Sequence, residues 1–163
     1  MTPTLLPPGK DWCSKFPTST SISDLIEPFR SNVLEFISEL ESKGAKILIS
    51  TTYRPPERAY LMHYCCMIAQ SKQAPDCITP MEGVDINWDC NNPTLTISLC
   101  KDMMSGYGIE YPAALISRHT QRRAIDMTIS GFNLSKQDLW GMGKGFGVIK
   151  LTTDDPHWSD DGH

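Results

Sequence analysis

The sequence lacks any apolar run long enough to cross a bilayer, so we expect no membrane insertion. It also lacks a secretory signal in its first residues. The opening stretch MTPTLLPPGKDWCSKFPTST is interrupted by prolines where a signal needs an unbroken apolar segment, and the small-residue cleavage pattern is missing. The standard secretory route is therefore not expected. Internal repeats and low-complexity tracts are lacking as well, and what remains is an ordinary globular composition.

Positive charge is also scarce. The formal net charge is −4, and the only cluster of arginines is at positions 118, 122 and 123. Such a chain has no basic stripe to neutralise a row of phosphates, so we expect no nucleic-acid partner. The sequence has no CxxC pair, and a structural zinc knuckle is not expected. The six cysteines, at positions 13, 65, 66, 77, 90 and 100, leave disulfides open if the protein meets an oxidising compartment.

Length and hydrophobic pattern predict a single α+β domain and a monomer. A chain of 163 residues buries enough apolar surface for one core. Residues 1–20 carry four prolines and few periodic apolar positions, which predicts an extended arm, and residues 21–163 would form the domain. In this domain a small antiparallel sheet would pack against helices.

Helical periodicity and capping residues predict four helices. The first would run from an N-cap at Ser23 to Gly44, with a bend at Pro28; the second starts after Arg54; the third covers Thr94–Met104 behind an N-cap at Asn92; and a short fourth starts at Ser135. The predicted strands are AKILIST, AIDMTIS and GVIKL, with a further short strand at Val84–Trp88 inside a long irregular connection.

One carboxylate in this pattern needs a cation. In AIDMTIS the pleat places Asp126 on the face opposite Ile125 and Met127, and a half-buried carboxylate is costly without a positive partner. His119 precedes this strand, and His157 follows the last predicted strand. If those two strands pair, both histidines reach the same edge of the sheet as Asp126. Two imidazoles and a carboxylate with an open fourth position are typical of catalytic zinc.

The spacing by itself leaves a second interpretation open. His119 and His157 would then be unrelated surface residues, and Asp126 would form an ion pair with an arginine. A His-x6-Asp spacing is too common to decide between the two.

The wider motif resembles a family of zinc peptidases. SRHTQRRAID is similar to the pattern S-x-H-x-x-G-x-A-x-D of D-Ala-D-Ala carboxypeptidases and L-Ala-D-Glu endopeptidases, relatives of lysostaphin and hedgehog. Ser117, His119, Ala124 and Asp126 match this pattern. The family's glycine, three residues after the first histidine, is replaced by Arg122.

Two further segments carry the resemblance, which spans roughly residues 45–163. Asp154 and His157 match the family's downstream acidic residue and histidine, although many members have Glu at the first of these positions. Tyr53 and Arg54 in YRPPER match a Tyr-Arg segment that follows the first strand.

The resemblance implies a hedgehog- or D-Ala-D-Ala-peptidase-like fold and a role for each matching residue. Zn²⁺ would be held by His119, Asp126 and His157 and would activate a water molecule. Asp154 would act as the general base, and Arg54 would stabilise the oxyanion or grip a substrate carboxylate. The residues expected to contact substrate are Ser117, Tyr53 and Trp158.

The function implied is hydrolysis of peptidoglycan stem peptides, as endopeptidase or D,D-carboxypeptidase, in cell-wall degradation of the endolysin type. The protein would be made in the cytoplasm and would act in the bacterial cell envelope, in the periplasm. A non-catalytic, zinc-bearing recognition module of hedgehog-like fold is the alternative, and a metal-free structural protein is a third. Asp154 favours catalysis, because a purely structural zinc gains nothing from a free carboxylate beside its open position.

Overall fold

The computed structural model describes residues 2–163 and contains four α-helices and a four-stranded antiparallel sheet, which confirms the α+β class. Contacts divide the chain into two compact units. The first unit comprises the residues up to Pro17 together with Pro55–Ile116, and the second comprises Thr18–Arg54 and Ser117–His163. None of the helices within residues 2–163 has the length and hydropathy needed to span a membrane.

The sheet lies entirely in the second unit. Its strands are β1 (Lys46–Thr51), β2 (Ala124–Ser130), β3 (Ile149–Lys150) and β4 (His157–Ser159), and their order in the sheet is β1-β2-β4-β3. All neighbouring strands are antiparallel. The predicted strand GVIKL is reduced to β3, and it does not pair with β2. A short strand that was not predicted, β4, lies between them.

Helices α1 (Phe29–Ser42) and α4 (Lys136–Gly145) complete the second unit. Its core contains Phe36 and Leu40 from α1, Ile125 from β2 and Trp158 from β4. Helix α1 starts later than predicted. Proline disfavours helical backbone in the residue before it and has no N–H to donate, so the helix begins after Pro28 instead of bending there. The upstream residues form only a 3-10 turn at Ile22–Asp24.

The first unit is built on α2 (Pro56–Ala69) and α3 (Pro93–Tyr107), which pack around Leu61, Cys65 and Met103. The N-cap predicted at Asn92 is confirmed, because its side chain accepts a hydrogen bond from the backbone of Leu95. This unit also contains two 3-10 helices, at Lys10–Ser14 and Pro75–Cys77.

The N-terminal segment contributes to the core of the first unit. Trp12 lies in the 3-10 helix at Lys10–Ser14 and is buried, and Leu6 forms an isolated bridge with Ile86. That bridge is all that forms of the strand predicted at Val84–Trp88. All six cysteines lie within the described residues and are free thiols.

Candidate metal centre

His119 lies in a tight polar loop whose backbone is held from both sides. The Ser117 hydroxyl accepts a hydrogen bond from the Thr120 backbone N–H at 3.3 Å, and the Ser117 carbonyl accepts one from Gln121 at 3.0 Å. The carbonyl of His119 accepts a hydrogen bond from the backbone N–H of Arg54 at 3.2 Å. The loop is therefore tied to the end of β1, and the position of the His119 ring is constrained by main-chain contacts.

Asp126 and His157 lie directly opposite each other on β2 and β4. In an antiparallel pair, residues in register project their side chains from the same face of the sheet. The adjacent pair, Ile125 and Trp158, faces the other side and is buried in the core. The alternation of the two strands therefore separates a polar pair from an apolar one, as the pattern of AIDMTIS predicts.

Three atoms converge where the loop meets the two strands. Oδ1 of Asp126 lies 3.0 Å from Nε2 of His119 and 3.0 Å from Nδ1 of His157, and the two ring nitrogens are 3.1 Å apart. Both histidines are buried, with side-chain exposures of 6% for His119 and 11% for His157. Asp126 lies within ion-pair distance of both of these buried rings, so the interpretation in which His119 and His157 are unrelated surface residues is wrong.

In each ring, the inner nitrogen faces Asp126 and the outer nitrogen faces away from it. The hydrogen bond of the outer nitrogen determines whether the inner nitrogen carries a proton or a lone pair. Nδ1 of His119 faces the carbonyl oxygen of Thr52 at 3.2 Å, and Nε2 of His157 faces that of His163 at 2.8 Å. A carbonyl only accepts, so each outer nitrogen donates, and the inner nitrogen of each neutral ring then carries a lone pair. Two lone pairs and a carboxylate oxygen repel one another unless a positive charge lies between them.

The three residues can hold a metal ion. Carbonyl contacts that fix the outer nitrogens of metal-binding imidazoles are typical of such centres. Ligand atoms about 2.0–2.2 Å from a tetrahedral zinc ion are roughly 3.3–3.6 Å apart, so the observed separations need to expand by only a few tenths of an ångström. Nitrogen and oxygen donors together suit zinc among other transition metals.

The pKa values follow from the same contacts. Burial raises the pKa of Asp126, but hydrogen bonds and charge from the two imidazoles outweigh it and hold that pKa below its usual range. Burial lowers the pKa of His157, but the hydrogen bonds with Asp126 and the His163 carbonyl and the negative charges nearby together outweigh it, so that the pKa of His157 is raised. The centre thus favours a positive charge between its three groups.

No protein-family model and no curated protein matches the chain. The resemblance to zinc peptidases therefore stays a prediction that depends on the motif residues and on their geometry.

Asp154 lies in the connection between β3 and β4, three residues before His157. Its backbone carbonyl accepts a hydrogen bond from the His157 N–H at 3.1 Å. Among residues 2–163 its carboxylate accepts no hydrogen bond, and it is exposed to solvent. Its negative charge is nevertheless close enough to help raise the pKa of His157. A free carboxylate beside the centre is available to a water molecule or a substrate.

Tyr53 and Arg54 directly follow Thr52, whose carbonyl holds the His119 ring. The guanidinium of Arg122 lies 4.2 Å from the centroid of the Tyr53 ring, and Arg122 has a φ of 63°. This is the left-handed backbone conformation that glycine adopts without strain. The structure therefore brings the predicted Tyr-Arg segment to the loop that carries His119.

Trp158 and Ser117, which are predicted to contact substrate, both make contacts within the protein. Trp158 is 2% exposed and packs on Phe36, with ring centroids 5.4 Å apart, on the face of β4 opposite His157. It borders a cavity of about 400 Å³ that is also lined by partly buried side chains packed against the core, among them Phe132 and Trp140. The hydroxyl of Ser117 is engaged in the turn of its own loop.

One charged residue near the centre was missed. Lys150 is 9% exposed, and its ammonium donates hydrogen bonds to the backbone carbonyls of Leu151, Asp154 and His157. The sequence carried a signal for it: in GVIKL, Lys150 shares a face with the fully buried Val148, and a lysine at an inward position needs internal acceptors.

Proposed function

We propose that this chain is a zinc-dependent peptidase that hydrolyses peptide bonds in the stem peptides of peptidoglycan and acts in the bacterial cell envelope. The observation that carries the proposal is the convergence of His119, Asp126 and His157, with both outer ring nitrogens held by carbonyls. These residues come from a loop and two strands in the order that the family motif requires.

The backbone at Arg122 supports the resemblance independently. The family pattern has glycine at this position, and the chain adopts a φ of 63° there. Such a turn favours glycine because a Cβ is strained in the left-handed region. The residue at this position differs from the family's glycine, but its backbone conformation is the one that glycine favours. On the same basis we propose that the fold is hedgehog- or D-Ala-D-Ala-peptidase-like.

The proposed mechanism assigns one task to each side chain. His119, Asp126 and His157 would hold a zinc ion, which when bound would supply a Lewis acid and a water molecule of lowered pKa. Asp154 takes the proton from the attacking water and returns it to the leaving amine. Arg54 stabilises negative charge on the carbonyl oxygen or grips a substrate carboxylate, to which a planar guanidinium is well matched.

Cleavage of defined muropeptides, read from product masses with and without chelator, tests the proposal. Asp154→Asn should retain bound metal and lower kcat by about 10²–10⁴-fold, because the general base is removed. Asp155→Asn is the matched control and should cleave as the wild type does. Cleavage by Asp154→Asn at the wild-type rate would remove Asp154 from the mechanism. The product masses also distinguish endopeptidase from carboxypeptidase.

Metal content tests the ligand assignment. His119→Ala should lose zinc and, with it, the stability that metal binding adds, which amounts to about 2.7 kcal/mol at a free zinc concentration of 100 Kd. His63→Ala removes an imidazole from α2 and should leave the zinc content unchanged. A wild-type protein without zinc after purification in zinc-containing, chelator-free buffer contradicts the proposal. Bound zinc without cleavage of any muropeptide would favour the non-catalytic recognition module.

A further inference from the structure

A buried ammonium lies beneath the segment that links β3 to β4. The side chain of Lys150 is enclosed, and its Nζ donates to the carbonyl oxygens of Leu151 at 2.6 Å and His157 at 3.2 Å, as well as to that of Asp154. A lysine ammonium has three N–H donors. Each donor therefore has an acceptor, and the cost of burying the charge is offset within the protein.

The three carbonyls belong to the segment that presents both functional groups. Residues 151–156 connect β3 to β4, and they are cross-braced by main-chain bonds from Leu151 to His157 at 3.1 Å, from Asp154 to Leu151 at 3.2 Å, and from His157 to Asp154 at 3.1 Å. Each of these carbonyls thus already accepts one main-chain hydrogen bond. Lys150 adds a charge-assisted bond to each and draws all three toward one point.

We propose that Lys150 is a positioning residue that fixes His157 and Asp154 relative to each other, so that the metal ligand and the free carboxylate act on the same water molecule. The inference rests on the proposed function and deepens it. Groups that hold a metal ligand in place typically change metal affinity by about 10–100-fold when removed. Lys150 acts on the ligand's own backbone and, through the same ammonium, on the residue proposed as general base.

The charge of Lys150 and its positioning role predict changes of opposite sign in Zn²⁺ affinity when this lysine is replaced. A positive charge near a cation site repels the cation, so removal of charge alone should tighten metal binding. Loss of positioning should weaken it, because His157 is then free to move away from His119 and Asp126. The sign of the change in Zn²⁺ affinity therefore separates the two effects.

Zn²⁺ affinity of Lys150→Met, measured by competition with a chromophoric chelator, tests the inference. We expect Kd to rise by about 10–100-fold and the absorption spectrum of bound Co²⁺ to change. Lys150→Arg should recover part of the affinity. Lys136→Met is the matched control, because Lys136 lies close enough to lower the pKa of Lys150 and forms no hydrogen bond to this segment within residues 2–163. It should leave Kd unchanged or lower it.

A second readout addresses Asp154. At saturating Zn²⁺ the metal is restored, and kcat of Lys150→Met on muropeptide should still fall at least tenfold with little change in KM, because the carboxylate is misplaced. Unchanged or tighter Zn²⁺ binding with an unaltered Co²⁺ spectrum would overturn the inference. If Lys150→Met does not fold, Lys150→Gln takes its place, and wild-type affinity in that variant overturns the inference equally. Wild-type protein that binds no metal would instead contradict the proposed function itself.

Discussion

At Arg122 two local effects oppose each other. A residue other than glycine at a φ of 63° is strained by about 1–2 kcal/mol, since Cβ approaches the carbonyl oxygen. The contact of its guanidinium with the Tyr53 ring returns roughly 0.5–1 kcal/mol. A glycine here would relieve the strain, lose the contact and gain freedom in the unfolded chain. An alanine would keep the strain and lose the contact.

Arg122→Ala should therefore be less stable than Arg122→Gly, by about 1 kcal/mol in the free energy of unfolding. Urea unfolding of both variants measures this difference. Lys101 is exposed within α3 and provides a control of opposite sign. Lys101→Ala should be more stable than Lys101→Gly by about 1 kcal/mol. If alanine were the better residue at both positions, the strain assigned to Arg122 would be wrong.

Single residues of the centre differ in how far the sequence predicts them. Asp126 follows from the pleat of one strand, and His119 from the motif around it. Lys150 was missed because its role depends on three backbone carbonyls in the segment between β3 and β4. No local sequence pattern specifies the path of that segment. The face of the sheet on which Trp158 lies could not be assigned from the sequence, because β4 was not predicted.

Among the elements, helix ends were predicted where side chains cap them. Asn92 and Ser135 each accept the hydrogen bond that their position predicts, from Leu95 and Asp138 respectively. Strand β4 was not predicted because three residues give too short a pattern to show alternation. Such a strand exists because β2 and β3 supply partners on both sides, which is tertiary information.

Helix α4 contains three glycines, and two of them, Gly143 and Gly141, lie in opposite environments. A Cβ on Gly143 would lie 2.5 Å from the carbonyl oxygen of Val148 and 2.6 Å from the Trp158 ring, whereas one on Gly141 would meet nothing within 4 Å. The first glycine permits the close approach of α4 to the strand that carries His157. The second has no such packing role.

Gly143→Ala should destabilise the protein by about 1–3 kcal/mol, because overpacking outweighs the higher helix propensity of alanine. Gly141→Ala should stabilise it by up to about 1 kcal/mol. Thermal unfolding of the two variants checks both signs, at roughly 2–4 °C per kcal/mol. Equal stability of the two variants would mean that α4 can move away from Val148 without cost.

At the scale of the whole molecule, acid should break the ion pair between Arg118 and Asp161. Arg118, in the His119 loop, donates to the Asp161 carboxylate, which also accepts the backbone N–H of His163 at 3.1 Å. The hydrogen bond from Arg118, the largest contribution, lowers the pKa of Asp161 from 3.8 to about 2. A carboxyl group with a depressed folded-state pKa stabilises the protein above its unfolded-state value and ceases to do so as pH falls through the folded-state value.

The stability advantage of wild type over Asp161→Asn should therefore be constant above pH 5 and should shrink between pH 4 and about 2. Urea midpoints of the two proteins across this range measure it. The stability advantage of wild type over Arg118→Gln should shrink across the same pH range, because this substitution removes the cationic partner of Asp161. An advantage that persists unchanged to pH 2 would show that the pair contributes nothing to acid stability.

The contacts that orient the two imidazoles come from main-chain oxygens, at Thr52 and His163. Every amino acid has a carbonyl group, so the anchoring bonds themselves survive any substitution at these two positions that preserves the path of the chain. Substitutions can therefore change the sequence around such a centre while its ligand geometry persists. Distant relatives of this chain should be sought by the geometry of the three converging ligands, which changes more slowly during divergence than the surrounding sequence.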